Sequence, residues 1–450
     1  MDGLFNLPSC LYGLFMSETT APTPDENPTP DGAAPATPPP NRSALGVIFL
    51  TVFIDLLGFG MVLPLLPIYA DQFTVDEAGW LIGLLMASFS AMQFLFAPLW
   101  GRLSDRIGRR PVLMIGLGGS VVFYTLFGVA TEWQCLWLLF AARIGAGIAG
   151  ATISTAHAYI ADVTTLEQRP RGMALIGMAF GLGFTFGPLF GYLAVPTGSG
   201  DPGPWPGYAA AILSAVALAL AWFKLPESLH RAVGKPAPHR GFSFQDFRLA
   251  LSIPSIGLLL LTSFVVVFSF ANFETTLSML IKGTEGGENP FQFTFRQVCL
   301  TYAYIGFTLA VVQGGIVRRI AGRVSEGAMA SFGAVCQISG LLLVIYATQS
   351  ESVTWLLISL AIITSGFAFL TPSLNSLLSR RSDPEKQGRV LGVGQSVSSL
   401  ARIVGAGLGI PLLKINMALP FGLAAGLMLM GLLLVIVASR GGRDYQAEAA

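Results

Sequence analysis

From about residue 45 onward the chain is a succession of apolar runs separated by short polar breaks. A helix needs about 20 mostly apolar residues to cross a hydrocarbon layer about 30 Å thick, because it rises about 1.5 Å per residue. The runs that meet this length lie at roughly 45–70, 79–101, 111–131, 134–162, 170–195, 207–224, 254–281, 296–320, 326–348, 353–379, 387–413 and 417–438. They predict twelve spanning helices, here numbered span 1 to span 12. None shows the period-2 alternation of a β-barrel strand.

Composition strengthens this reading. Of 450 residues, 53% are hydrophobic and only 11% charged, against about 25% charged in a soluble domain. Mean hydropathy is +0.66. The net charge of +1 excludes a strongly basic nucleic-acid binder. Cys10, Cys135, Cys299 and Cys336 lie far apart, so they form neither a disulfide framework nor a zinc pattern. No G-x-x-x-x-G-K-[ST], H-E-x-x-H or G-x-S-x-G occurs, so neither ATP-driven chemistry nor hydrolysis is expected, and the chain is not read as an enzyme.

Charge predicts the orientation. Alternate breaks collect Arg42, Arg102, Arg106, Arg109, Arg110, Arg169, Arg171, the basic residues of 224–248, Arg318, Arg319, Arg323, Arg380, Arg381, Lys386, Arg389, Arg440 and Arg443. The other side holds only Lys282, Arg296 and Lys414. The positive-inside rule places the first set and both termini in the cytosol of a multi-pass cell (inner) membrane protein. Residues 1–44 are expected to be a disordered cytosolic tail, since 19–41 are dense in Pro, Thr, Ala and acids. The stretch 1–16 carries no basic n-region and is not read as a signal peptide.

The longest cytosolic loop, 225–253, divides the spans six and six, giving bundles at 45–224 and 254–438 and a C-terminal tail at 439–450. The halves echo each other. Gly101-Arg102…Gly108-Arg109 returns 214 residues later as Gly315…Gly322-Arg323. Glu167…Arg171 matches Glu385…Arg389, and Gly187 and Gly191 fall on Gly405 and Gly409, at an offset of 218. The expected fold is therefore an all-α polytopic membrane protein, twelve transmembrane helices in two pseudo-symmetric six-helix bundles. Many secondary transporters are built this way, with the site at the interface of the halves.

Three segments sharpen this. Gly101 to Pro111, G-R-L-S-D-R-I-G-R-R-P, falls between spans 2 and 3 and sets Asp105 among Arg102, Arg106, Arg109 and Arg110. Its glycines permit a tight turn, and its carboxylate can cap a neighbouring helix. Span 5 carries G-F-T-F-G-P-L-F-G, with Gly183, Gly187 and Gly191 on one face and Pro188 among them. Span 1 carries D-L-L-G-F-G-M-V-L-P-L-L-P, Asp55 to Pro67. The loop resembles the signature of the major facilitator superfamily. The span-5 and span-1 segments are similar to those of its twelve-span drug:proton antiporter branch, which includes tetracycline-efflux-like proteins. The resemblance runs over about 45–440 and is strongest in the first half. It implies an antiporter motif at Gly183, Gly187, Pro188 and Gly191. It also implies a cytosolic gate at Gly101, Asp105, Arg106, Gly108, Arg109 and Arg110, with Asp162 as partner to Arg109.

Charged residues inside spans are costly and are functional candidates by default. Asp55 and Arg143 reach similar depth and are expected near one another, with Arg143 favouring the charged form of Asp55. The resemblance implies a part in proton transfer for Arg143. Glu274, beside Asn272 on span 7, is a second titrating candidate nearer the outer surface; Arg402 on span 11 is unassigned. Gln93, Asn272 and Asn375 are candidate cavity contacts. The function expected is secondary efflux of an amphipathic small molecule such as a tetracycline-like drug. A proton gradient and no cofactor would drive a monomer in a lipid bilayer. Proton symport or facilitated uptake of a metabolite, and a transport-inactive sensor or lipid-handling protein, are the alternatives.

Overall fold

A computed structural model describes residues 42–73, 78–164, 169–195, 203–229, 254–282, 290–382 and 387–441. Residues 1–41 of the tail expected over 1–44, the greater part of the 225–253 loop, nearly all of the C-terminal tail, and Glu167 and Glu385 of the repeat lie outside these residues, while Arg42–Ala44 belong to the first helix. Twelve helices are long and apolar enough to cross a membrane. Among the described residues the remaining regular structure is a short helix, Leu66–Phe73, and isolated bridges such as Lys282 with Phe293.

In the first half, span 1 is Arg42–Val62, span 2 Trp80–Ile107, span 3 Arg109–Glu132, span 5 Arg169–Ala194 and span 6 Trp205–Lys224. Span 4 comes as Leu136–Gly150 and Ile153–Val163. In the second half, span 7 is Pro254–Ile281, span 9 Glu326–Gln349, span 10 Val353–Arg380, span 11 Gln387–Ile415 and span 12 Leu419–Gly441. Span 8 begins as Phe295–Val311 and runs through a π turn, Val312–Val317, to Ile320.

Local chemistry sets these boundaries. Thr294 and Gln297 form a capping box at the start of span 8, and Ser325 and Ser352 cap spans 9 and 10 through their side chains. Span 1 was expected to reach residue 70. It stops at Val62 because Pro64 supplies no backbone donor, and a short helix, Leu66–Phe73, follows. Span 4 breaks at Ala151–Thr152, where the Thr152 hydroxyl donates to the Ala149 carbonyl at 3.0 Å and competes with the helix ladder.

The segment expected as the span 2–3 loop is mostly helix. Span 2 continues through Ile107, and the chain turns at Gly108, whose φ of 108° belongs to glycine. Gly322, 214 residues later, makes the same kind of joint between spans 8 and 9 with φ 82°. The repeat read in the sequence is thus a repeat of backbone geometry.

Packing repeats as well. Span 1 packs on spans 5 and 6, and span 3 on spans 4 and 6. Six helices later, span 7 packs on spans 11 and 12, and span 9 on spans 10 and 12. The halves join through span 2 on span 11 and span 5 on span 8, pairs that exchange under the same six-helix shift. The expected two-bundle, pseudo-symmetric fold is the one observed. Its outer surface exposes large apolar side chains, among them Phe223, Leu193, Trp133 and Trp137, as a lipid-facing surface requires.

The seam between the halves is tight at one end and slack at the other. Away from the arginine-rich end, Gly83 lies against the Gly407 carbonyl and Gly306 against the backbone of Phe184 and Thr185. Two charged latches cross there. Lys414 Nζ meets Asp71 Oδ1 at 2.6 Å, and Arg296 donates from Nε and Nη2 to the Val195 carbonyl at the end of span 5 (3.1 and 3.0 Å). Toward the arginine-rich end, no atom lies within 4 Å of a side chain built at Gly101, Gly177, Gly181, Gly314, Gly315 or Gly392. Gly177 and Gly181 precede Thr185 at four-residue steps, so one stripe of span 5 passes from contact with span 8 to open space. The halves therefore close opposite the arginines and part beside them.

The glycine at 83 is a condition of that closure. In Gly83→Leu, with cysteines placed at Gln72 and Ile415 beside the Asp71–Lys414 latch, cross-linking across the seam is expected to fall severalfold. An unchanged yield would show that the seam closes without this close approach.

Candidate functional site

The site is built from charges that the helices carry into or beside the membrane. At the arginine-rich end of the first half, Arg109 begins span 3 and is 8% exposed. Its Nε donates to Asp162 Oδ2 at 3.0 Å, and its Nη1 meets Asp105 and the Ser104 hydroxyl. The partnership expected between Arg109 and Asp162 is thus present. Asp105 was expected to cap a helix, but it lies one turn before Arg109 and pairs with it instead.

The capping role belongs to Glu227, which sequence reading passed over as part of a loop. Its carboxylate accepts from the backbone N–H of Arg109 at 2.8 Å and of Arg110 at 3.1 Å, closing the start of span 3. It also accepts from the N–H of Ser228 and Leu229, while the Ser228 hydroxyl donates to Asp162. Arg110 donates to the Trp222 carbonyl at the end of span 6. The signal available in sequence was an acid three residues beyond the last residue of span 6, in L-P-E-S.

Span 5 presents the glycines of its motif to span 1. Cβ atoms added at Gly183 and Gly187 would fall 2.8 Å from Leu56 Cβ and 2.7 Å from Gly60 Cα. The third, Gly191, faces Met61. Pro188 lies within this helix. The motif's geometric role is a close contact inside the first half.

Inside the spans, Asp55 and Arg143, expected near one another, share Tyr124 as a neighbour. No ion pair joins them. Asp55 faces span 6, where the Ser214 hydroxyl donates to its Oδ1 at 3.1 Å, and Ser120 of span 3 lies nearby. Arg143 faces span 2 instead, because Gly147 and Gly150, one and two turns on, bring that span close: Gly147 lies against the Phe89 backbone and Gly150 against Gln93 and Phe89. The guanidinium lies 4.5 Å from the Phe89 ring centre and 5.9 Å from that of Phe59. Tyr124 is the common neighbour, within electrostatic reach of both charges.

Glu274 is half-buried on span 7, and Arg402 of span 11 is within its electrostatic reach. The Tyr302 hydroxyl donates to the Glu274 backbone carbonyl, and Arg402 also donates to the Ser399 hydroxyl at 3.3 Å. Arg402, left unassigned by sequence, thereby gains a counter-charge. The cavity role expected for Asn272 fails: it is fully buried where span 7 meets Gly405 and Gly409 of span 11. Gln93 donates to the Gly150 carbonyl at 3.4 Å and so ties spans 2 and 4 together. Asn375 is exposed on span 10. His157 is exposed, and its Nδ1 donates to the Ile153 carbonyl at 3.0 Å. A separate cavity of about 460 Å³ lies between spans 9, 10 and 12, away from the seam, and takes in Glu326, Arg380 and Arg381.

Two bundles joined by a seam that closes at one end, with acids and arginines inside the spans, make a membrane carrier. The chain belongs to the Major Facilitator Superfamily, whose model matches residues 48–406, and it is a transporter of that family. It is 33% identical over 367 residues to the "Tetracycline resistance protein, class C" of Escherichia coli, covering 81% of this chain and 88% of that protein. It is 30% identical over 415 residues to the "Major facilitator superfamily domain-containing protein 10" of Homo sapiens, covering 82% and 86%. Among solved structures, the human organic anion transporter MFSD10 (TETRAN) matches with a TM-score of 0.66 at 28% identity, over 88% of this chain and all of that one. A nucleoside transporter matches with a TM-score of 0.71 at 12% identity, a likeness of fold alone.

The Glu227 cap gives a direct test of the gate's construction. Glu227→Ala leaves two backbone donors of span 3 open and is expected to cost about 1 kcal/mol, read as a lower melting temperature of the purified protein. Glu227→Gln keeps an acceptor and is expected to lose less. Equal, wild-type stability of both variants would show that the cap holds nothing.

Proposed function

We propose that this transporter is a proton-coupled exporter of amphipathic small molecules that works by alternating access. The reading places it in a cell membrane with its arginine-rich end in the cytosol, which the distribution of Lys and Arg supports. The tetracycline resistance relatives support export of a drug-like cargo. The closed seam at one end and slack at the other support a rocking of two halves, of which this is the state open toward the arginines.

The observation that carries proton coupling is Glu274, a half-buried carboxyl inside a span with an arginine of another helix in reach but not in contact. When ionised it attracts Arg402; when protonated it releases it. An exchanger needs such a group, because one site must hold either a proton or an interaction that depends on its absence. Asp55 is the second coupling group of the proposal. It faces hydroxyls rather than a cation, so its protonation would loosen span 1 from spans 3 and 6.

A second reading of the cargo has its own support. The similar human protein of known structure is an organic anion transporter, and Arg143 offers a positive charge inside the first half.

In proteoliposomes, Glu274→Gln is expected to abolish transport driven by a pH gradient while leaving exchange of cargo down its own gradient. Asp55→Asn is expected to reduce gradient-driven transport at least severalfold. Full gradient-driven export by both variants would defeat the proposal. Accumulation of cargo in cells, rather than depletion, would assign uptake instead.

A further inference from the structure

The arginine-rich end of the second half repeats the ion pair of the first with its signs exchanged. In the first half Arg109, at the start of span 3, meets Asp162 at the end of span 4. In the second, 217 and 218 residues further on, Glu326 starts span 9 and Arg380 ends span 10, with Nη1 to Oε1 at 2.8 Å. An arginine also fastens the last helix of each half. Arg110 donates to the Trp222 carbonyl of span 6, and Arg381, 7% exposed, donates from Nη2 to the Ala438 carbonyl of span 12 at 2.6 Å. Gly327 completes the joint. A Cβ added there would fall 2.5 Å from Ser439 Cβ, so the start of span 9 lies against the end of span 12.

The halves differ in what meets the start of the third helix of each bundle. In the first, the Glu227 carboxylate lies there and accepts from the N–H of Arg109 and Arg110. In the second, the cap and first turn of span 9, Ser325 to Ala328, line the cavity of about 460 Å³ between spans 9, 10 and 12. The one carboxylate among the described lining residues is that of Glu326, and it is engaged by Arg380 and by the Ser376 hydroxyl at 3.1 Å. Two arginines and one glutamate leave the lining net positive, and Ser331 and Ser439 add hydroxyls. A helix start favours negative charge, and guanidinium groups bind phosphate oxygens in paired contacts. The cavity is roomy for a bare ion and falls within the range of small-ligand sites, about 300–1,000 Å³.

We propose that this cavity binds a phosphate group, held by Arg381, Arg380 and the first turn of span 9, in the place that the Glu227 carboxylate takes in the first half. What one bundle supplies from its own chain, the other takes as a ligand. A basic pocket between spans suits the headgroup of an anionic phospholipid, and a free phosphate presents the same oxygens. The site lies away from the seam and does not depend on the cargo or coupling readings above.

The melting temperature of the purified full-length protein in a nonionic detergent tests it. Inorganic phosphate is compared with chloride at equal ionic strength, and short-chain phosphatidylglycerol with phosphatidylcholine of the same chain length. The wild type is expected to be stabilised, saturably, by at least one of the two phosphate probes over its comparison. A response to phosphatidylglycerol alone would assign the site to a lipid headgroup, and a response to inorganic phosphate would assign it to an ion from solution. Arg381→Gln is expected to weaken the apparent affinity about tenfold. Arg380→Gln, at a half-exposed side chain, should weaken it severalfold and keeps the measurement open if the buried arginine is needed for folding. Arg102→Gln, at the same end of the first half, should leave the response unchanged. No saturable stabilisation of the wild type, or a response lost equally in Arg102→Gln, would overturn the site. So would a response that arises only in Asp444→Asn, three residues beyond span 12, because an acid of the chain itself would then hold the place.

Discussion

Hydrocarbon tolerates a charged side chain only where the protein supplies it with partners, and this constraint organises the molecule. Among the described residues four acids and arginines stand well inside the spans. Asp55 accepts from the Ser214 hydroxyl, Glu274 and Arg402 lie within electrostatic reach of each other, and Arg143 has aromatic rings beside it and buried donors with no hydrogen-bond partner. None forms a closed ion pair. A closed pair would be a structural rivet; groups left this way can change partner or protonation state, as a carrier requires.

The remaining charges work at the ends of the spans. Opposite the arginines, Asp71–Lys414 and Arg296 on the Val195 carbonyl join the halves. Beside the arginines, Arg109, Asp162, Asp105 and Glu227 bind the first half to itself and leave the seam slack. Glu227 matters here because it stands where the chain leaves the first bundle. Its four backbone contacts fasten the root of the connection to the turn at Gly108.

The architecture was legible because its causes are local and repeated. Apolar length predicts a span, and a recurring Gly-Arg joint predicts a recurring turn, as Gly108 and Gly322 bear out. The Arg109–Asp162 contact was reached through resemblance. What sequence could not supply was facing. Depth along a helix put Asp55 and Arg143 level, but Gly147 and Gly150 turn Arg143 toward span 2, while Asp55 looks the other way to Ser120 and Ser214. Asn272 failed for the same reason: a polar residue on a span faces either the seam or a neighbouring helix, and Gly405 and Gly409 settle it toward the helix. Glu227 was hidden because its partners are backbone N–H groups, which every residue has and no motif records.

The central claim is that protonation of a carboxyl inside the spans rocks two halves about a shared seam. Paired spin labels measure this directly, one pair at Gly177 and Gly314 on the slack side, the other at Gln72 and Ile415 beside the Asp71–Lys414 latch. Across a pH titration in lipid nanodiscs the account predicts opposite changes, one distance shortening as the other lengthens, and no response in Glu274→Gln. Distances that stay fixed, or that change in the same sense at both ends, would contradict it.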